Sequence, residues 1–326
     1  MKKLGQTSFI SRIVRSDELG VLIPLLIIIA ITTIFRRDFL TINNFRVLFT
    51  QITFIAIVAL GASLTLMVGN VDISTGRVAG LAGILMASLI VDNHWGAFPA
   101  IMLGLGVALF FGLVNGLLVV YVKVPDFVAT MGTLYIAGGL RYLLVKGYQF
   151  SLQRLPDFKL NEIFANRYLG MPIYFWIMVF LVLLLTFFIK WTVFGRRFLA
   201  AGDNRGVAAL AGINVNKMRM LAYMMCALLA GIAGILITLD IGLGLPETGD
   251  GWEFRAIAGC VIGGTSLAGG KSSPIGTFTG VSLVFIAENA IIFLGFPTTM
   301  RIAIQGALMA LAVLIDMQRR KRKIPA

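Results

Sequence analysis

The sequence predicts an all-α fold, a polytopic transmembrane helix bundle of about ten helices with little water-soluble mass. Three observations predict it. Of 326 residues, 58% are hydrophobic and 13% charged, against about 25% charged in ordinary soluble domains. The apolar residues come in blocks: 19–35, 47–70, 96–122 and 172–189 hold no charge at all, and about 20 apolar residues carry a helix across a hydrocarbon core of about 30 Å. The basic residues behind the net charge of +13 sit between and beyond those blocks, which is the pattern of membrane topology rather than of nucleic-acid binding. A β-barrel is excluded because its strands alternate apolar and polar residues, whereas these runs are apolar on every face.

Taken in order, the spans fall at 19–35, 47–69, 75–92, 96–122, 126–145, 172–190, 219–240, 252–270, 274–295 and 299–316. The first run begins near Leu19, is long enough to span and lacks a small-residue cleavage site, so it reads as a helix rather than a cleaved leader. The weakest divisions are 70–75, 123–126 and 271–273, where breakers or charges interrupt apolar sequence. With the N-terminus inside, eighteen of the 28 Lys and Arg fall on one side: Lys2, Lys3, Arg12, Arg15, Arg77, Lys123, Lys190, Arg196, Arg197, Arg205, Lys217, Arg219, Lys271 and the run Arg319 to Lys323. The positive-inside rule then places both termini in the cytoplasm. The whole chain, 1–326, is one transmembrane domain, with a cytoplasmic N-terminal segment at 1–18, a basic cytoplasmic loop at 191–218 and a basic tail at 317–326. The loop at 146–171 falls outside. No nucleophile–base pair, buried acid pair or metal cluster stands out, so an enzyme, a metal and a cofactor are not expected. Cys226 and Cys260 lie within helices as packing residues, and His94 takes no role.

The two halves echo each other. Asn115 precedes Pro125 as Glu288-Asn289 precedes Pro297, and Ser74-Thr75-Gly76 recurs as Glu247-Thr248-Gly249, at an offset of about 173 residues. Five spans separate the copies, so the halves have opposite orientation. Inverted repeats with broken segments at matching places characterise transporters.

Three motifs carry most of the information. Gly69-Asn70-Val71-Asp72-Ile73-Ser74-Thr75-Gly76 breaks an apolar stretch with an acid, hydroxyls and glycines. It is either a surface turn in which Asp72, Ser74 or Thr75 caps the third helix, or a re-entrant gate or pathway element buried in protein. In the basic loop, Asp203 or Asn204 is placed to cap a short helix bearing Ala208 and Ala209, with Gly212 ending it. That helix either rests on headgroups or docks a partner. Gly263 to Ser272 imitates a phosphate loop, but five residues rather than four separate Gly264 from Gly270-Lys271-Ser272 and no strand precedes it. Its glycines are read as a sharp break allowing close helix approach. The pairs Gly112/Gly116, Gly259/Gly263 and Gly276/Gly280 signal tight packing. Among polar residues within spans, Asn115, Thr130, Thr133, Gln305, Glu288 and Asn289, the carboxylate of Glu288 is the most costly to bury. It is either functional or held by an ion pair with Arg301 or Arg141.

At these motifs the chain resembles the membrane permeases of bacterial ATP-binding-cassette (ABC) importers of the ribose/xylose/arabinose type. The family's Gly-Gly-x-Asp-Leu-Ser-Val-Gly reads Gly-Asn-Val-Asp-Ile-Ser-Thr-Gly at 69–76. Its Asn-Gly and Pro-x-Phe-x-x-Thr-x-Gly-Thr are Asn115-Gly116 and Pro125 to Thr133. Phe-Gly-Arg, Gly-x-Asn and Ala-Ala-x-x-x-Gly-Ile are Phe194 to Arg196, Gly202 to Asn204 and Ala208 to Ile213. Val-Ile-Gly-Gly-Thr-Ser-Leu-x-Gly-Gly is Val261 to Gly270. Asn70 departs from Gly, Thr75 from Val, and Ala290 stands where Gly often follows Asn289.

The resemblance implies a permease in the bacterial cytoplasmic membrane that performs no chemistry itself. Its implied partners are a second permease, identical or not, two cytoplasmic ATPases, an extracytoplasmic solute-binding protein and membrane lipid; nucleic acid is not among them. It implies that Asn204, Arg205, Ala208, Ala209 and Gly212 form a coupling helix seated in an ATPase, and it moves Asp72 and Ser74 toward the gate. The expected translocation pathway is Asp72, Ser74, Asn115, Phe127, Thr130, Glu288 and Asn289, whose hydroxyl and amide groups suit a monosaccharide or related small polyol. The alternatives are the same machinery serving a nucleoside or signalling solute, or an ion-coupled carrier using Glu288.

Overall fold

The structure, a computed structural model, describes residues 17–145, 149–154, 166–297 and 299–321. Its helices are α1 (Asp17–Phe35), α2 (Ile42–Met67), α3 (Thr75–Val91), α4 (Ala97–Val120), α5 (Asp126–Val145), α6 (Ile173–Trp191), α7 (Val193–Asp203), α8 (Arg205–Leu210), α9 (Val215–Ile241), α10 (Trp252–Ile262), α11 (Pro274–Phe293) and α12 (Met300–Lys321). A 3-10 turn, Arg37–Leu40, joins α1 to α2. Strand β1 (Phe150–Ser151) pairs antiparallel with β4 (Leu243–Gly244), and β2 (Arg167–Tyr168) with β3 (Met171–Pro172). The first pair ties the 146–171 loop to the segment after α9. Lys2, Lys3, Arg12, Arg15, Arg322 and Lys323 lie outside the described residues, as do parts of the 146–171 loop.

Helices α2, α4, α5, α6, α9 and α11 are long and apolar enough to cross a membrane, with shorter apolar helices at 21–35 and in α3. Polar caps start several of them. Thr41 accepts from the Asn44 N–H for α2, Asn214 from Lys217 for α9, and Ser273 from Gly276 for α11, where Pro274 occupies the first turn. The expected span 252–270 is corrected. Helix α10 has 11 residues, about 16 Å, and stops at Ile262, where Gly264, at φ 95°, turns the chain out of helical geometry.

The bundle is organised about α2 and α9. Helix α2 is buried from Ile52 to Met67. Helix α9 packs on α2, α3 and α4, and α2 packs on α9, α10 and α11. Helix α3 rests on α4, α5 and α9; correspondingly, α10 rests on α11, α12 and α2. The packing thus repeats with the sequence offset of five spans. Large apolar side chains on the outer faces of α1, α4, α5 and α6, such as Leu26, Phe98, Leu143 and Phe180, are exposed, as lipid-facing helices require. The glycine pairs interlock as expected: a Cβ on Gly263 would overlap the Gly276 carbonyl, and one on Gly280 the Gly259 carbonyl. Cys226 and Cys260 are free and buried.

Candidate functional site

Two broken segments shape the interior, 68–74 after α2 and 242–251 after α9. Their depth follows from neighbours. Gly234, 19 residues past the start of α9, sits against the Ala79 carbonyl, so α3 begins roughly 24 Å along a helix of about 40 Å. Helix α3 therefore starts in the interior rather than at a surface. The breaks also meet: a Cβ on Gly76 would overlap the Gly249 carbonyl oxygen, and one on Gly249 the Gly76 carbonyl oxygen. These are the positions matched at the 173-residue offset. Equivalent residues of two related halves touch each other only near the axis relating them. The surface-turn reading of 69–76 is thereby overturned. None of the three expected residues caps α3: Ser74, at the N-cap position, makes no cap bond, the Thr75 hydroxyl lacks a partner, and Asp72 turns back on Ser74.

The first break is held by a buried knot. Asp72 Oδ1 accepts from the Ser74 N–H at 2.9 Å and hydroxyl at 2.6 Å. Asn115 Nδ2 of α4 donates to Ser74 Oγ at 2.9 Å and lies 3.5 Å from both Asp72 oxygens. The Thr133 hydroxyl of α5 donates to Asn115 Oδ1 at 2.7 Å. All four side chains are at most 3% exposed. Three expected pathway residues are thus brought together, with Thr133 completing the set. They present no open surface in this conformation. Thr130, equally buried, donates to the Asp126 carbonyl, whereas Phe127 is exposed.

In the second half, Glu288 is fully buried and accepts from Arg255 Nε at 3.1 Å. The expected partner Arg141 is instead committed elsewhere, and the Arg301 side chain lies outside the described residues. Sequence reading misses Arg255 because only the placement of α10 on α11 brings it there. Asn289 accepts from Asn44 Nδ2 at 3.3 Å.

A charged tier joins the two breaks. Asp250 Oδ1 meets Arg141 at 2.6 Å and Arg77 at 3.5 Å. Arg141 also donates to the Thr248 carbonyl, and Arg77 lies over the Tyr135 ring. Counting spans puts Arg77 inside and the segment between 240 and 252, with Asp250, outside; their contact follows from both breaks dipping toward one another. Glu253, 4% exposed, packs at Gly76. Beside the tier opens a groove of about 520 Å³ lined by Asp250, Phe254, Arg255, Gln305, Gly306 and Met309 among others.

At the far end sits the basic loop. Asn204 caps α8 by accepting from the Val207 N–H at 3.1 Å, and Gly212, at φ 79°, follows it. Arg205 donates to the Gly69 carbonyl at 3.0 Å, and Arg219 Nε to Asn70 Oδ1 at 2.8 Å. Asn70 and Val71 in turn donate to Asp126. On α8, Ala208 is buried, while Val207, Ala209 and Leu210 face outward, Leu210 at 91% exposure. Ala208 packs against the rest of the loop, and the apolar residues that α8 turns outward are Val207 and Leu210. Among the described residues no cluster of His, Cys, Asp and Glu could hold a metal.

Residues 44–313 match the family described as branched-chain amino acid transport system / permease component. The chain is 33% identical over 296 residues to the ribose import permease protein of Escherichia coli strain K12, covering 90% of this chain and 92% of that one. It is 30% identical over 298 residues to the autoinducer 2 import system permease protein of Photorhabdus luminescens, covering 91% and 88%. With the corresponding protein of Yersinia pestis strain Pestoides F it shares 32% over 300 residues, covering 90% and 82%. No solved structure matches the chain.

Proposed function

Because this chain belongs to the family of transport-system permease components, we propose that it is the membrane-spanning translocation subunit of an ATP-driven importer for a monosaccharide or related small polyol. It is a transport component and not an enzyme; ATP hydrolysis belongs to separate ATPase subunits. A solute-binding protein delivers cargo, and a second permease completes the membrane unit in the bacterial cytoplasmic membrane, with both termini cytoplasmic. The relatives named for ribose and autoinducer 2 support a small hydroxylated cargo.

The observation that carries the coupling role is α8. It is a capped helix too short to bury an apolar face of its own, yet it holds Leu210 and Val207 out to solvent. It is also bonded to the first break through Arg205 and Gly69. An ATPase groove covering Leu210 would bury apolar surface worth about 2 kcal/mol for that side chain alone. Movement of α8 would then pull on 69–76 and shift the Asp72 knot, so the knot acts as the frame of a gate and not as its lining. Asn204, Arg205, Ala209 and Gly212 shape or present the helix.

The test is affinity capture from detergent-solubilised membranes in which the chain is produced together with the ABC-type ATPase of a sugar importer from the same genome. Wild type is expected to retain the ATPase and Leu210→Glu to release it at unchanged permease yield. Capture of no ATPase by the wild type, or full retention by Leu210→Glu, would refute the coupling assignment.

A further inference from the structure

We propose that the groove beside the second break, lined by Asp250, Phe254, Arg255, Gln305 and Gly306, is the station where the solute binds on its way through the membrane, and that it takes a neutral cyclic polyol. The proposal deepens the importer reading and rests on it for the identity of the cargo.

Depth supports the site. Arg141 lies four residues before the end of α5, and Gln305 five residues after the start of α12, so the tier sits roughly 6–8 Å inside the helix ends. At that depth a charged side chain faces protein or water, not lipid. Yet the Asp250 side chain is 42% exposed and Arg77 28%. The face that carries them therefore meets water or the second permease rather than lipid. The Asp72 knot, at most 3% exposed, is closed to solvent by comparison.

Charge and shape define the ligand. Arg77, Arg141 and Arg255 stand with Asp250, Glu253 and Glu288, so groups of both signs line the neighbourhood and it singles out neither an anion nor a cation. Both guanidiniums reach Asp250 through Oδ1, which leaves Oδ2 to accept from a hydroxyl. Gln305 Nε2 donates to the Gly251 carbonyl at 3.1 Å, which fixes the amide and turns its oxygen into a second acceptor. Arg255 holds Glu288 through Nε and lines the groove wall, where a guanidinium can donate to a hydroxyl. Phe254, 38% exposed, offers a flat apolar wall, the complement of the C–H face of a sugar ring. A few convergent polar groups beside an apolar wall are the usual makings of a small-ligand pocket. Within the adjoining tier, Glu253 Oε2 and Arg141 Nε are buried without partners, so unsatisfied polar capacity lies beside the groove.

Two measurements test the site. A charged methanethiosulfonate reagent is applied to membranes bearing single cysteines in a Cys226→Ala/Cys260→Ala background. Gly306→Cys is well suited, since a Cβ there meets nothing within 4 Å. Gly306→Cys and Gln305→Cys are expected to react rapidly and Ser74→Cys to resist; protection of the first two to the level of Ser74→Cys would overturn the proposal whatever the cargo. The second measurement is ATP-dependent uptake of labelled D-ribose by the assembled importer. Gly306→Trp, which fills the groove, is expected to cut uptake on the order of tenfold or more while the ATPase still copurifies. Unchanged uptake in Gly306→Trp would equally overturn it. Absence of ribose uptake in the wild type counts against the sugar reading above, and the labelling result then judges the groove by itself.

Discussion

Arg205, the first residue of α8, donates to the carbonyl of Gly69, 136 positions earlier in the chain, at 3.0 Å. The bond joins the surface helix to the start of the first break. Arg219 at the foot of α9 grips the neighbouring Asn70, so two guanidiniums hold 69–70 from the loop side. Removing Arg205 should uncouple α8 from the break without touching the outward face of the helix. In Arg205→Ala, ATPase capture is expected to stay at the wild-type level while solute-stimulated ATP hydrolysis and uptake fall several-fold. A hydrogen bond to a charged group contributes about 1.5–3 kcal/mol, ample for that effect. Wild-type stimulation in Arg205→Ala would show that the force passes by another route.

The Asp72 knot makes a different prediction. Asn115→Ala removes both the donor to Ser74 and the acceptor for Thr133. The Ser74 hydroxyl keeps Asp72, and the Thr133 hydroxyl falls back on the Ala129 and Thr130 carbonyls. The cost is two lost hydrogen bonds at about 0.5–1.5 kcal/mol each and the cavity left by the amide. Thermal unfolding in detergent should therefore drop clearly for Asn115→Ala and less for Thr133→Val, which loses one bond at the edge. If Asn115→Ala kept the wild-type melting temperature but lost uptake, Asn115 would act on the solute and not on the fold.

Much of this was legible in the chain. Apolar blocks mark most spans because lipid leaves hydropathy as the dominant constraint. The 173-residue offset matched Gly76 with Gly249, and the cap at Asn204 and the interlocking glycine pairs followed from local chemistry. What was hidden depends on tertiary placement. The apolar run 256–262 and the Leu267-Ala268 pair beyond it read as one span although Gly263 and Gly264 end the helix. A six-residue helix is too short for periodicity to reveal its buried face, so Ala208 and Leu210 could not be told apart. Arg77 and Asp250 were counted on opposite sides because counting spans assumes that each break lies at a surface.

The meeting of the breaks can be tested with one methyl group. Gly76→Ala or Gly249→Ala would drive a Cβ into the opposite carbonyl, and at Gly249 the φ of 88° adds backbone strain. Both variants are expected to give little monodisperse protein by size-exclusion chromatography in detergent. Gly139→Ala is the control. Its Cβ meets nothing within 4 Å, and a helix-interior Gly→Ala exchange should be neutral or stabilising by about 0.5–1 kcal/mol. Normal yield of Gly76→Ala would mean that the two breaks do not touch in the membrane.

Glu288 offers the sharpest contrast between a structural and an ion-coupling role. Its carboxylate is fully buried against Arg255, whose own side chain is 20% exposed, so loss of Arg255 strands the buried charge at about 3–5 kcal/mol. Arg255→Met should therefore accumulate poorly, and Arg255→Met/Glu288→Leu, which removes both charges and keeps apolar volume, should recover yield and thermal stability. The readout is folding alone, since Arg255 also borders the groove. A carrier driven by protons through Glu288 would behave otherwise: its uptake would collapse with a protonophore at constant ATP, and Glu288→Leu would fold normally but fail to transport. Recovery by the double variant, with wild-type uptake insensitive to the protonophore, would assign Glu288 to holding α11 against α10 and leave ATP as the driving force.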